Sequence, residues 1–227
     1  MSAPGRPRRI DTDDIVRAGC EIGLQNLSLN AVAARLGVTA AALYRHIDGR
    51  WGLERLVGER ILADLTITDD PTHDSAQHLL SFALQLRQFV LRHAGLGTYL
   101  QTLFPRGASG RQLLADEIAA LQRRGYAADA AMVLSSTIAN VVIGSAAAEQ
   151  LQAERREGLD AARKDALAQL RSDATLAAAH SGLPNIDSDE YARLMLAAVV
   201  GGLVGIAPPE RPIAEIMAQL HTAQKGL

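Results

Sequence analysis

The chain has 227 residues, of which 48% are hydrophobic and 21% charged, with a formal net charge of −2. That length makes one large domain or two modest ones, with ample core, and the charge excludes a polycation that coats nucleic acid over its whole surface. One cysteine excludes an internal disulfide framework and a cysteine-built zinc site, while 4% aromatic content in an alanine- and leucine-rich chain favours helices over sheets. The cysteine, Cys20, lies on an apolar-patterned segment and is expected to be a small buried hydrophobe.

The charge is unevenly spread. Residues 1–60 carry nine arginines against seven acids and so stand at +2, which leaves −4 for the remainder. A basic head on an acidic body fits a nucleic-acid contact confined to one end. The start, "MSAPGRPRRIDTDD", passes from basic to acidic residues with no apolar core. No secretory signal is read there, and a cytoplasmic location is expected.

"GRPRR", Gly5 to Arg9, reads as a flexible basic arm. Asp11 or Thr12 is placed to cap a first helix, with Asp13 and Asp14 in its first turn to suit the dipole. Ile15, Ala18, Gly19 and Ile22 give that helix one buried face. Ser28 is a good N-cap for a second helix, on which Leu29, Val32, Ala33 and Leu36 repeat the spacing. Gly37 falls where a helix C-terminus turns left-handed, and Val38 follows into the angle between helices. Thr39 is expected to cap a third helix from Ala40 to about Ile47, held by Leu43 and Ile47. Asp48 and Gly49 break the chain, and Asp48 is expected to cap a fourth helix bearing Leu53, Leu56, Val57 and Ile61. Two short helices joined by a glycine turn form a helix-turn-helix, whose second helix enters the major groove in DNA-binding proteins.

Beyond Asp69-Asp70-Pro71 the periodicity lengthens. Leu79, Phe82, Leu86, Phe89 and Val90 define a long amphipathic helix that Gly95 and Gly97 interrupt. Tyr99, Leu100, Leu103 and Phe104 mark a short helix ended by Pro105. Leu113, Leu114, Ile118 and Leu121 mark another, stopped at Gly125. A long helix of small and branched residues follows from Ala128 to about Ala153, then the charged, helix-prone "AERREGLDAARKDALAQLRSD" and the loop "HSGLPNIDSD". A second small-residue helix runs from Asp189 to about Gly205, and a short terminal helix spans about Pro212 to His221. Ala130 to Ala148 and Leu194 to Ala207 approach the composition of membrane spans. The first carries several hydroxyl and amide side chains, and the second falls short of the roughly 20 residues a span needs. Both are read as buried helices, with no membrane partner. The fold expected is all-α.

The stretch "SLNAVAARLGVTAAALYRHIDGRWGLERLV" resembles the DNA-binding head of the TetR family of bacterial transcriptional regulators. The match lies in Ser28, Val32, Ala33, Leu36, Gly37, Val38, Thr39, Leu43, Tyr44, His46, Ile47, Arg50, Leu53 and Leu56. "GRPRRIDTDDIVRAGCEIG" resembles the same family's arm and first helix. Gly49 and Trp51 depart from it, standing where polar residues and a lysine are usual. The resemblance implies a three-helix head with a basic arm over residues 1–65 and a helical ligand-binding and dimerisation body over 66–227. It also implies a homodimer closed by a four-helix interface of Ala128–Ala153 and Asp189–Gly205 from each subunit, set on a palindromic double-stranded DNA operator.

On this reading Ser28, Thr39, Ala40, Ala41, Tyr44, Arg45, His46 and Arg50 belong to the DNA contact. Tyr44 would give its hydroxyl to a phosphate. Arg45 would either read guanine or neutralise a phosphate. The small residues Thr39, Ala40 and Ala41 allow close approach to a thymine methyl, and alanine there also serves simply as a helix former. His46 and Arg50 suit backbone contacts. Arg6, Arg8 and Arg9 suit the backbone or the minor groove.

In the body, Phe82, Leu86, Phe89, Tyr99, Leu100, Phe104, Leu114, Met132 and Ile138 are candidates to line a pocket for an unknown small-molecule effector. Each could equally be core. Asn140 and Gln112 are candidate orienting groups. His73, His78 and His93 lack the spacing of a metal pair, so neither metal nor cofactor is expected. No GxSxG elbow, HExxH, P-loop, dinucleotide fingerprint or Cys–His pair appears, so catalysis is not expected. The function expected is a ligand-responsive transcriptional regulator acting as a repressor. The alternative is a helical ligand- or protein-binding module with a vestigial helix-turn-helix.

Overall fold

The computed structural model describes residues 10–103, 107–182, 184 and 186–225. Among them are twelve α-helices, one 3-10 turn and no strand. Arg6, Arg8, Arg9 and Phe104 lie outside the described residues.

Helix α1 (Thr12–Ile22) starts at Asp11, whose carboxylate accepts the Asp14 amide while Asp14 accepts the Asp11 amide in return. This reciprocal box satisfies two otherwise orphaned donors. Helix α2 (Leu29–Leu36) starts at Ser28, whose hydroxyl accepts the Ala31 amide at 3.1 Å. It ends at Gly37 with φ 68° and ψ 32°, a left-handed conformation that a Cβ would strain. The Val38 amide then closes back onto the Ala33 carbonyl at 3.0 Å, which fixes the steep exit.

Two capping expectations fail here. Neither Thr39 nor Asp48 makes a side-chain cap hydrogen bond. Helix α3 (Ala40–Leu43) is also shorter than the expected run to Ile47. The chain tightens after Leu43, whose carbonyl accepts from both the His46 and Ile47 amides. Such shared, 3-10-type bonding is how the last carbonyls of a short helix find partners. Leu43 and Ile47 still point inward, so the turn remains anchored at both ends.

Helix α4 (Gly49–Leu62) joins the two halves of the molecule. It packs on α1 and α2 of the head and on α6 (Leu96–Leu103) and α7 (Ala108–Gln122) of the body. Ile15, Val32, Leu43, Leu53 and Val57 are fully buried between α1, α2, α3 and α4. Each such side chain contributes roughly 1.5–3 kcal/mol over leaving it in water. Cys20 is less enclosed than its patterning suggests: it is half-buried, and burial still pushes its thiol pKa up.

The body is built around α8 (Ala128–Glu154), which packs against α5 (Ser75–Arg92), α6, α7 and α11 (Ser188–Ile206). By length and composition α8 could cross a membrane, but half of its apolar window is buried by neighbouring helices. One hydrophobic cluster runs without a break from Ile10 to Ile216, so α1 to α4 and the body share a core. The charged segment forms α9 (Arg156–Ser172) and α10 (Ala174–Ser181), which pack mainly on each other beyond the end of α8. Helix α12 (Ile213–Lys225) closes on α11.

Candidate nucleic-acid interface and internal cavity

The turn after α3 presents three consecutive exposed side chains, Tyr44, Arg45 and His46, between the buried anchors Leu43 and Ile47. Tyr44 is 59% exposed, a large value for an aromatic ring. Thr39, Ala41 and Ser28 are exposed and Ala40 is half-buried. The head's other arginines are largely engaged: Arg17 with Asp14, Arg35 with Glu21, Arg60 with Asp64. Arg45 makes no ion pair among the described residues. Arg50 is exposed but bonded to Glu54 at 2.7 Å, so a phosphate there would have to displace a carboxylate. Exposed pairs of this kind hold weakly, which keeps that exchange cheap. Gly49 has φ 62°, which accounts for its departure from the polar residues usual there, and Trp51 is 58% exposed.

The body holds a small apolar cavity of about 60 Å³ between α4, α5, α6, α7 and α8, lined by Leu62, Phe82, Leu86, Leu100, Leu113, Leu114 and Ile143 among others. It brings together four of the expected lining residues: Phe82, Leu86, Leu100 and Leu114. The remaining described ones lie elsewhere. Phe89 is buried against His93, with ring centroids 4.4 Å apart. Tyr99 packs on α4, and Ile138 is deep core. Met132 is exposed on the outer side of α8, as is Asn140. Gln112 borders a separate open groove of about 690 Å³ between the end of α4 and α7, and bonds to Asp116.

At the seam between cavity and groove sits a polar group that periodicity alone does not single out. His78, 2% exposed, has Nδ1 3.0 Å from Asp69 Oδ1 and Nε2 3.0 Å from Glu117 Oε1. Asp69 is also held by Arg123 at 2.6 Å and Arg124 at 2.7 Å. Burial raises the Asp69 carboxyl, but the hydrogen bonds and charge of these arginines outweigh it and hold it well below the usual carboxylate range. The two carboxylates lie on opposite edges of the imidazole, so they cannot converge on one ion. No group of three possible metal ligands occurs among the described residues. The signal was present in the pattern. Glu117 occupies the apolar stripe of Leu113, Leu114, Ile118 and Leu121, and His78 precedes Phe82 and Leu86 on one face of α5. A charged residue in an apolar stripe marks a buried partner.

Two further polar links hold these helices, one from α4 to α7 and one from α5 to α8 and α11. The Glu59 carboxylate accepts the Gly107 amide at 3.1 Å and the Ser109 amide at 3.0 Å, holding the start of α7. Arg87, buried on α5, bridges Glu149 of α8 and Asp189 of α11 at 2.8 and 2.9 Å.

Residues 68–204 match the family described as tetracyclin repressor-like, C-terminal domain. The chain belongs to this family, that of the TetR regulators. The Streptomyces coelicolor TetR family protein ActR in complex with actinorhodin superposes with a TM-score of 0.74, at 22% identity over 87% of this chain and 96% of ActR. Apo ActR gives 0.71 at 23% identity, over 90% and 97%. A TetR variant from Acinetobacter baumannii AYE in complex with minocycline gives 0.54 at 22% identity, over 68% and 90%. No curated protein matches the chain.

Proposed function

We propose that the chain is a ligand-responsive DNA-binding regulator, a cytoplasmic homodimeric repressor released from its operator by a small, mainly apolar molecule. The observation that carries this reading is the exposed Tyr44-Arg45-His46 turn, anchored by Leu43 and Ile47 and unpaired within the chain among the described residues. A single short turn reads few bases. Two copies on half-sites about 34–36 Å apart are the usual remedy. Helices α8 and α11 offer the face for that pairing: Met132, Val133, Tyr191 and Leu194 are exposed there. Ser28, Thr39, Ala40, Ala41 and Arg50 complete the contact, and Arg6, Arg8 and Arg9 follow the backbone or minor groove. Residues 1–65 act as the head and 66–227 as the body.

Ligand-bound relatives of the same fold, ActR with actinorhodin and TetR with minocycline, support a body that takes small molecules. The regulators among these relatives also favour a non-catalytic role. The mechanism follows from α4. A ligand seated beside Leu62 and α7 presses on the helix that carries the head, and it acts only through different affinity for the DNA-bound and released separations.

The test is binding of the purified protein to DNA flanking its own gene, followed by a salt titration. Affinity falling steeply with salt is expected, because neutralised phosphates release counterions. No binding to that DNA or to a random-site library, together with a co-purifying protein partner, would instead favour an interaction module with a vestigial helix-turn-helix.

A further inference from the structure

The cavity has one polar corner, and we infer from it that the effector is an apolar molecule carrying a neutral hydrogen-bond donor, a phenolic hydroxyl above all, directed at Glu117. The inference rests on the cavity being the effector site. Glu117 is 4% exposed, yet it borders both the apolar cavity and the larger groove. A carboxylate is costly to bury unless it is paired and hydrogen-bonded. His78 supplies that pairing at Oε1, with Asp69 behind it fixing the ring. Both ring nitrogens face carboxylate oxygens, so the imidazole is held on both edges.

The remaining lone pairs decide what a ligand must offer. A carboxylate accepts at about four sites, so Glu117 takes a second donor while keeping His78. The other wall group with fixed hydrogen bonding is Ser135, 1% exposed, whose hydroxyl donates to the Ala131 carbonyl at 2.7 Å. Its proton is thereby committed, and it too faces the cavity as an acceptor. These two fixed acceptors call for a donor on the ligand, and the Ser136 hydroxyl, also on the wall, can accept from or donate to the same hydroxyl. Charge then separates the kinds of donor. A ligand ammonium would have to leave water for an apolar wall, a cost that one carboxylate already engaged by His78 does not repay. A ligand carboxylate would meet Glu117 head-on. A neutral hydroxyl fits, and the walls from Phe82, Leu86 and Leu100 suit an apolar ring behind it.

The cavity is small, so single-ring probes are apt. Calorimetric titration of the full-length protein with p-cresol, its isostere p-xylene and the anion p-toluate separates the possibilities. p-Cresol is expected to bind roughly tenfold more tightly than p-xylene, with p-toluate weakest, because a hydrogen bond to a charged acceptor is the strong kind. Glu117→Leu is expected to bring p-cresol and p-xylene to within about twofold of each other, since the charged acceptor is gone. If that variant does not fold by circular dichroism, the wild-type ratio decides alone, with Glu117→Gln expected to narrow it as the acceptor loses its charge. Equal affinity of p-cresol and p-xylene for the wild type, or p-toluate binding tightest, overturns the inference while the cavity reading stands. No binding by p-cresol or p-xylene overturns the cavity reading and this inference with it.

Discussion

The ring of Tyr99 lies against the backbone of Gly58, so close that a Cβ built on Gly58 would overlap Tyr99 Cζ and Cε1. Tyr99 is nearly buried by this contact. Burial, with a smaller contribution from the Glu59 charge, pushes its hydroxyl pKa up to about 12. Helices α4 and α6 therefore meet through the Tyr99 ring, with no α4 side chain at the contact. At the next residue, Glu59 seizes the start of α7. One turn of α4 thus touches α6 and α7, while the adjacent Val57 packs on Gly19 of α1.

Gly58→Ala is expected to destabilise the protein by about 2 kcal/mol, the usual cost of forcing a methyl into a packed contact. Trimming the ring in a Tyr99→Leu background should make the effect smaller, because the two residues share the contact. Urea unfolding of the two single variants and the double variant measures this. Strict additivity would show that the contact does not couple them.

Glu59→Ala removes both acceptors at the start of α7 at once. Loss of such a cap costs about 1–2 kcal/mol. Hydrogen exchange is the direct readout: the Gly107 and Ser109 amides should exchange faster in the variant, while core amides of α8 change little. Unchanged protection at those two amides would remove Glu59 as the tether.

Asp69 gives the protein an acid-sensitive contribution. Its carboxyl is held below the ordinary range by Arg124 and Arg123 against the opposing effect of burial, so the unfolded chain takes up its proton more readily than the folded one. The stabilisation is complete above about pH 4 and is lost as pH falls toward the lower folded value. Asp69→Asn should cost about 2 kcal/mol at pH 7, and the gap from wild type should narrow by roughly 1 kcal/mol by pH 3. Urea titrations at both pH values test it. A gap of equal size at both would rule out the ionised contact as its source.

Arg45→Ala should weaken DNA binding by about 1–3 kcal/mol without altering the fold. If Arg45 meets a phosphate, the salt slope of the logarithmic affinity should fall by about one; if it reads a base, the slope holds and specificity relaxes at one position. Anisotropy titrations at several salt concentrations distinguish the two. An unchanged affinity would take Arg45 out of the interface.

Leu194→Glu places a charge on the exposed apolar side of α11, where Leu194 is 55% exposed in the single chain. Light scattering should show the wild type as a dimer and the variant shifted to monomer, since a buried unpaired charge costs several kcal/mol. DNA affinity should fall with it. A wild-type monomer would refute the pairing.

Much of the fold follows from local rules that single residues state openly. Ser28 and Gly37 bracket α2, Asp11 opens α1, and the spacing of Leu79, Phe82, Leu86 and Val90 makes α5, because caps and amphipathic stripes are decided within a few residues along the chain. The length of α3 and the idle caps at Thr39 and Asp48 were less legible, since a helix of one turn is set by the packing of Leu43 and Ile47 rather than by propensity. In the cavity, periodicity marks Phe82, Leu86, Leu100 and Leu114 as inward-facing. It cannot tell them from Phe89 or Ile138, because facing inward and facing a void are the same pattern.

The sequence by itself determined an all-helical chain with a helix-turn-helix near one end, Tyr44, Arg45 and His46 between the inward Leu43 and Ile47, and an apolar body, since each depends on neighbours within one or two helical turns. The tertiary structure decided which helices meet. It brought Asp69, His78 and Glu117 together from three separate segments, set Gly58 beneath Tyr99, and joined Glu59 to the start of α7. These contacts span tens of residues, and only the packing of one buried face on another fixes which polar group answers which.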